Sequence, residues 1–449
     1  MPVSVSSKSI IAFLHKTATM ITFLKSHKRV ITFSLVAMCA LWLSRGIVHR
    51  SYFLPYFAVF VTLIFSQLFW IARILDIGER FIPGNPRRIW LAVIAAVVWV
   101  FFFLAHRFIP RHMILIDAVF SVWMVGSWLG FGLVMGFGVV DRGAHGATWV
   151  YRYISGGGAA DARAPDPDAI VLPSPARRRL LRQMAIAVSA TPFVAAAYGF
   201  LYGRLDVEVT HRRIALARLP LAFEGFRIVQ LSDFHISPFM PADEIRRCVT
   251  ITNQLKPDLI LMTGDYVAWD PAAQGEVVQA LAGLRAPYGV FGSLGNHESI
   301  TETEASITRL FAAQGIRILR QERAPIRLGG DTLNLIGIDD SFTDSQGVER
   351  LVMPGTVNIV LNHNPNEFDQ AVQLGIDLML AGHTHGGQLS LEFLRRGVSF
   401  ARLETPYVSG WYEKSGSQLY VNRGIGTTVI PIRVGARPEI TVLELVHGV

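Results

Sequence analysis

The sequence predicts an N-terminal transmembrane α-helical bundle followed by an α/β domain, and three observations predict it. Near-continuous apolar blocks fill residues 1–203, in a chain of 449 residues that is 51% hydrophobic and only 17% charged. The charge changes sign at the same place: residues 1–203 hold 20 Lys+Arg against 7 Asp+Glu, a balance of +13, whereas 204–449 hold 22 against 27, or −5. From residue 226 onward, short β-rich runs alternate with helical patterns.

The membrane half begins with a basic segment, 1–29, read as cytoplasmic. Four apolar blocks follow within 30–140, at about 30–48, 52–72, 89–109 and 113–140. A helix needs about 20 apolar residues to cross the hydrocarbon core. The second to fourth blocks meet that length; the first, "VITFSLVAMCALWLS", reaches 15 residues before Arg45. Asp117 lies within the fourth block, close to Arg111 and His112, which places it toward the headgroups or, on the alternative reading, at an intramembrane functional position. Residues 141–179 form a polar linker rich in Gly, Pro and Asp. Residues 180–203 then form a fifth transmembrane or signal-anchor helix, its apolar part about 183–203. The run Arg177, Arg178, Arg179, Leu180, Leu181, Arg182 is either a twin-arginine export signal or a cluster of positive-inside anchors.

Basic residues in alternate loops set the orientation. With the N-terminus inside, the inner segments 1–29, 73–88 and 141–182 carry 16 Lys+Arg and the outer loops 45–51 and 106–112 carry 4. That bias places 204–449 outside the cytoplasm, at a bacterial inner or plasma membrane. The lipid bilayer is thus an expected partner; no protein partner is indicated. The soluble half has no net basic balance, so nucleic acid is not an expected partner. The two cysteines, Cys39 and Cys248, fall in different halves and indicate neither a disulfide framework nor a thiolate metal site.

In the globular half each element reads in turn. "FRIVQLSDFH" is a buried strand and polar loop, and "PADEIRRCVTITNQL" a helix opening with Pro241 and acids in its first turn. "PDLILMTGDY" is a second strand, followed by a helix near 272–284, and "GVFGSLGNHE" a third. "TETEASITRLFAAQG" is a helix, and "VNIVLNHNP" and "DLMLAGHTHGGQ" repeat the strand-then-loop plan. This alternation predicts an α/β domain with largely buried strands.

At each strand's carboxyl end the chain delivers Asp, Asn or His: Asp233 and His235, Asp265, Asn296 and His297, His363, then His383 and His385. One such residue is more often a cap or loop residue than a ligand. Five strand ends with the same chemistry, on the edge where open α/β sheets bind ligands, point to a site. Imidazole with carboxylate and amide oxygen suits Mn, Fe or Zn.

The series "SDFHIS", "TGDYV", "GNHE", "NHNP" and "GHTHGGQ", in that order, resembles the calcineurin-like metallophosphoesterase superfamily over about 226–445. The tail "LYVNRGIGTTVIPIRVGARPEITVLEL" resembles its membrane-anchored bacterial branch, which includes transmembrane proteins with a metallophosphoesterase domain, twin-arginine-exported phosphodiesterases and UDP-diacylglucosamine pyrophosphatases. Glu298 stands where the superfamily more often has Asp. The resemblance implies that 204–449 is an αββα sandwich of two mixed sheets. It also implies two metal ions: Asp233, His235 and His385 on the first, Asn296, His363 and His383 on the second, and Asp265 bridging both, with a metal-bridging hydroxide as the nucleophile. His297 would face the substrate, stabilising phosphoryl oxygens or protonating the leaving group. Arg423 in "VNRGIG" would contact phosphate or serve in an ion pair.

The function expected from these residues is membrane-anchored, metal-dependent hydrolysis of a phosphodiester, a pyrophosphate or a lipid-linked phosphoester. The alternatives are a UDP-diacylglucosamine-type pyrophosphatase of lipid A synthesis and, in a different class, an inactive metal-binding sensor or scaffold on a membrane bundle. A nuclease shares the site chemistry, but the acidic domain and the tether oppose it.

Overall fold

The structure is a computed structural model that describes residues 59, 61–67, 69–70, 117–135, 188, 190–339, 345–391 and 398–448. The expected apolar blocks 30–48 and 89–109, the linker 141–179, the Arg177–Arg182 run and Cys39 lie outside these residues.

Among the described residues one helix, Asp117–Met135, is long and apolar enough to cross a membrane. Asp117, the acid of the fourth block, is the first described residue of this helix. The helix meets the described part of 59–70 through polar side chains. Gln67 Nε2 donates to Ser127 Oγ at 2.8 Å, Trp123 Nε1 to Gln67 Oε1 at 2.9 Å, and Trp70 Nε1 to the Ser127 carbonyl at 2.7 Å. Hydrogen bonds of this kind join helices whose remaining surface is apolar.

Among the described residues the α/β domain has fourteen strands. The first sheet runs in the order β1 (Glu208–Leu216), β14 (Glu439–His447), β2 (Arg227–Leu231), β3 (Leu259–Thr263), β4 (Val290–Ser293), β5 (Arg317–Ile318). It is mixed, because β14 pairs antiparallel with β2 while the other neighbours are parallel. The second runs β12 (Gly410–Lys414), β13 (Ser417–Val421), β9 (Leu378–Ala381), β8 (Val357–Leu361), β7 (Asp331–Gly337), β6 (Glu322–Leu328). Its two outer pairs are antiparallel hairpins and its centre is parallel. A short ribbon pairs β10 (Ser390–Leu391) with β11 (Val398–Ser399).

The side-chain period of two sorts the core into layers. In β2 and β3, Ile228, Leu259 and Leu261 face the second sheet, packing with Leu333, Leu335, Ile359, Leu378 and Leu380. Val229, Leu231, Ile260 and Met262 face the other way, against Ile245, Cys248 and Val249 of helix α1 (Ala242–Gln254), Val277 and Leu281 of α2 (Gln274–Leu281), and Ile307 and Phe311 of α4 (Glu304–Ala312), which follows the short α3 (Asn296–Ile300). The far face of the second sheet, with Val360, Met379 and Leu419, packs on Phe368 and Ala371 of α6 (Phe368–Gln373), which follows α5 (Ser345–Glu349). Helix, sheet, sheet, helix is the layering that the resemblance implies.

The three helices read in the sequence of the α/β domain fall where expected. Pro241 is extended just ahead of α1, and Asp243 and Glu244 lie in its first turn, where the missing proline N–H costs nothing and the acids meet the dipole. Strand β1, the β6–β7 and β12–β13 hairpins and β14 complete the sheets beyond those runs. They sit at the edges, or, for β14, between β1 and β2.

Candidate metal centre

Strands β2, β3 and β4 of one sheet and β8 and β9 of the other bring their carboxyl ends together, and all eight candidate residues emerge there. Backbone hydrogen bonds lock these loops to one another. Asp233 N donates to the Gly264 carbonyl and His235 N to the Asp265 carbonyl, both at 3.0 Å, and in the second sheet Gly382 N donates to the His363 carbonyl at 3.0 Å. The two sheets are joined directly by His383 N, which donates to Asp233 Oδ1 at 3.1 Å.

The backbone here is held in an unusual conformation. Asp233, His235, Asp265, His383 and His385 all have φ between 45° and 73°, in the left-handed region that non-glycine residues seldom occupy. Each such residue costs of order 1–3 kcal/mol and persists where the surroundings over-determine it, as at ligand-holding loops. Glycines permit the close approach. A Cβ at Gly382 would overlap Ser232 Oγ and Asp233 Oδ2, and one at Gly264, itself at φ 85°, would overlap the Gly295 backbone nitrogen.

Three groups of donors converge within 4.8 Å: Asp233, His235 and His385; Asp265, His363 and His383; and His235, Asp265 and His297. Asp265 Oδ2 lies 3.4 Å from His235 Nε2 and 3.1 Å from His363 Nε2, so one carboxylate oxygen faces both halves of the cluster. His385 Nε2 lies 3.2 Å from Asp233 Oδ1 and 3.0 Å from His235 Nε2. Asn296 Oδ1 lies 2.9 Å from His383 Nδ1, adding a neutral oxygen beside the second group.

The electrostatics favour metal binding. Burial pushes the His235 imidazole down to about 3, despite the Asp265 carboxylate, and burial likewise holds His385 well below its ordinary range, despite Asp233. Burial opposes ionisation of Asp265, but the surrounding His363, His235 and His297 outweigh it and hold the carboxyl well below the usual range. His235 and His385 therefore offer uncharged imidazoles and Asp265 an ionised carboxylate, the protonation states that ligands require. His363 Nδ1 donates to the Thr263 carbonyl, which leaves Nε2 as its ligand atom. A donor set of nitrogen and oxygen without thiolate fits two Mn, Fe or Zn ions.

His297 is anchored through Nδ1 to a backbone carbonyl, as the expected ligand His363 is. Its ring Nδ1 donates to the Ala268 carbonyl, its backbone N donates to Asp265 Oδ1 at 2.9 Å, and the exposed Trp269 packs edge-on against it at 4.7 Å. The ring is buried, and its Nε2 is the atom left for chemistry.

Two residues outside the expected set support the centre. Glu298, fully buried, accepts backbone N–H bonds from Asp265 (3.0 Å), Tyr266 (2.8 Å), Val267 (3.2 Å) and Gly295 (2.9 Å). Burial and the neighbouring Asp265 push its carboxyl up to about 8, against the pull of those donors. The acid of "GNHE" was visible in the sequence, but its partners come from two loops and were not. Arg433, also fully buried, donates Nη1 to the His385 carbonyl at 3.4 Å and places Nη2 3.2 Å from its ring Nδ1; among many arginines, nothing in its local sequence distinguishes it. Arg423 takes the ion-pair alternative: its Nε is 3.0 Å from Glu439 Oε2 and its Nη2 is 2.7 Å from Glu208 Oε2.

Comparison with known proteins agrees with this geometry. The sequence pattern of the family described as calcineurin-like phosphoesterase matches residues 226–387. The uncharacterized metallophosphoesterase YkuE of Bacillus subtilis is 32% identical over 284 residues, covering 60% of this chain and 97% of that protein. Phosphodiesterase YaeI of Escherichia coli is 31% identical over 279 residues, covering 60% and 99%. The transmembrane protein with metallophosphoesterase domain of Danio rerio is 30% identical over 280 residues, covering 59% and 63%.

Proposed function

The chain belongs to the calcineurin-like metallophosphoesterases and is a metal-dependent phosphoester hydrolase, and from that premise we propose that it is a membrane-anchored phosphodiesterase with a dinuclear centre. Asp233, His235 and His385 would hold one ion, Asn296, His363 and His383 the other, and Asp265 would be shared between them. The observation that carries this assignment is Asp265 Oδ2, which faces the Nε2 atoms of His235 and His363 at 3.4 and 3.1 Å. When bound, two such ions lower the pKa of water and clamp the attacking and leaving oxygens of an in-line displacement.

The chain's own residues do the rest. Glu298 holds the Asp265 loop so that the carboxylate projects between the two halves. His297, anchored through Nδ1, presents Nε2 to the phosphoryl oxygens or to the leaving group as a proton donor. Asn296 adds an oxygen without adding negative charge next to an anionic substrate.

For the membrane half the reading is a cytoplasmic segment 1–29, a four-helix region 30–140, a linker 141–179 and an anchor 180–203, with 204–449 outside the cytoplasm as the catalytic domain. The inner-loop excess of Lys+Arg supports it, and a lipid-linked phosphoester suits a hydrolase tethered beside a bilayer. A reporter fused after Val449 tests the orientation: alkaline phosphatase activity is expected, and fluorescence of a cytoplasmic-only reporter without phosphatase activity overturns it. For the chemistry, Asp265→Asn and His383→Ala are each expected to abolish Mn²⁺-dependent cleavage of bis-p-nitrophenyl phosphate while the domain stays folded. Full activity in either variant overturns the assignment.

A further inference from the structure

Residues 422–436, "NRGIGTTVIPIRVGA", run from β13 toward β14 with almost no regular strand, so their carbonyls need partners from elsewhere. Arg433 supplies partners for four of them. Its guanidinium donates from Nε to the Gly426 carbonyl at 3.0 Å, from Nη1 to Ala436 at 3.2 Å, and from Nη2 to Arg423 at 2.8 Å and Gly424 at 3.2 Å. The same side chain reaches His385 twice, through Nη1 to its carbonyl at 3.4 Å and through Nη2 to ring Nδ1 at 3.2 Å. The side chain is 1% exposed. A cation this deeply buried is normally paired with a carboxylate; this one spends its donors on the loop and on one histidine.

The backbone of Arg433 is seated with equal closeness. Its N donates to the Gly199 carbonyl at 3.3 Å, and a Cβ at Gly203 would overlap its own carbonyl oxygen. The π-turn Gly199–Gly203 thus packs directly on the residue that holds His385.

We propose that Arg433 is a positioning residue for the metal centre. By holding the carbonyl of His385 and lying against the Nδ1 edge of its ring, it fixes the ring so that Nε2 faces Asp233 and His235, and so sets the affinity of the ion that these three residues would hold. This rests on the assignment of His385 as a ligand. The planar five-donor fork of arginine is required, because the bonds leave in several directions from one rigid group; lysine keeps the charge but not the geometry.

The test uses the full chain in detergent, stripped of metal and titrated with Mn²⁺ by calorimetry, with free ion followed by electron paramagnetic resonance. The wild type is expected to bind two ions. Arg433→Lys is expected to weaken one of them 10- to 100-fold, the usual cost of losing a group that orients a ligand, and to leave the other within twofold. Placed in a His385→Ala background, Arg433→Lys is expected to add less than a twofold further loss, because the residue acts through that ring. Arg433→Met repeats the measurement without the charge; if it fails to fold, the lysine variant and its double-mutant cycle decide. Unchanged binding of both ions by Arg433→Lys overturns the proposal. So does an equal weakening of both ions, or a loss that persists in full without His385, since either marks a purely structural role. If the wild type itself binds no Mn²⁺, the ligand assignment fails instead.

Discussion

Glu298 Oε2 accepts the backbone N–H of Asp265 at 3.0 Å, so an acid outside the candidate ligand set holds the backbone of the residue that faces both halves of the centre. The same carboxylate takes three more N–H donors from Tyr266, Val267 and Gly295. Glu298→Ala leaves these donors buried without partners, and at roughly 1–3 kcal/mol for each abandoned group the expected loss is at least ~3 kcal/mol. Denaturant unfolding of the metal-free protein checks it; a loss below ~1 kcal/mol contradicts the role given to Glu298.

His297 is expected to act on the substrate and not as a required ligand. His297→Ala should lower kcat on bis-p-nitrophenyl phosphate by about 10²- to 10⁴-fold, the contribution typical of a positioned acid or base. Calorimetric Mn²⁺ stoichiometry should remain at two. Loss of one ion would instead make His297 a ligand alongside His235 and Asp265, with which it also converges.

Gly382→Ala tests how closely the second sheet must approach the first. The new methyl would collide with Ser232 Oγ and Asp233 Oδ2. The carboxylate must then move off its bond from His383 N, and weaker Mn²⁺ binding is the expected result. Wild-type affinity in this variant would show that the loops can spread without cost.

Metal removal should destabilise the domain. Ions bound only by the folded state contribute RT ln(1 + [M]/Kd), or about 2.7 kcal/mol at 100 times Kd. Excess EDTA is therefore expected to lower the melting midpoint of the wild type and to leave that of Asp265→Asn nearly unchanged. Equal shifts in both proteins would argue that the stabilising ions bind elsewhere.

Acid sensitivity is expected from the Arg423–Glu439 pair. Burial raises the Glu439 carboxyl, but Arg423, the hydroxyls of Thr210 and Tyr420 and the Arg423 backbone N–H outweigh it and hold it below 4.5. A carboxylate depressed in the folded state contributes stability that is complete above its unfolded pKa and is lost as pH falls through the depressed value. The stability gap between wild type and Glu439→Gln should thus be widest near neutral pH and shrink below pH 4.5. Urea midpoints measured across that window decide it; a gap that grows in acid would refute the assignment.

The legible part of this protein is what short spacing can carry. "AGHTHGGQ" shows two imidazoles on a Gly-flanked turn after an apolar run, and the four companion stretches repeat the plan, because a strand's carboxyl end and its next few residues are contiguous in the chain. Helix α1 is readable for the same reason: its Pro, its acids and its apolar period all lie within one segment. Contacts between distant segments left no comparable trace.

By itself the sequence determined the α/β alternation, the polar strand ends and the eight residues that meet at the centre. Only the tertiary structure decided which sheet each strand joins, that β14 returns to lie between β1 and β2, that Arg423 is spent on Glu439 and Glu208, and that Glu298 and Arg433 lie against the candidate ligands Asp265 and His385. The physical reason is range. Arg433 and His385 are 48 residues apart, and Glu298 meets Asp265 across 33. Such contacts form only when whole sheets pack, and a buried arginine or glutamate reads in sequence like any exposed one until the fold removes its water.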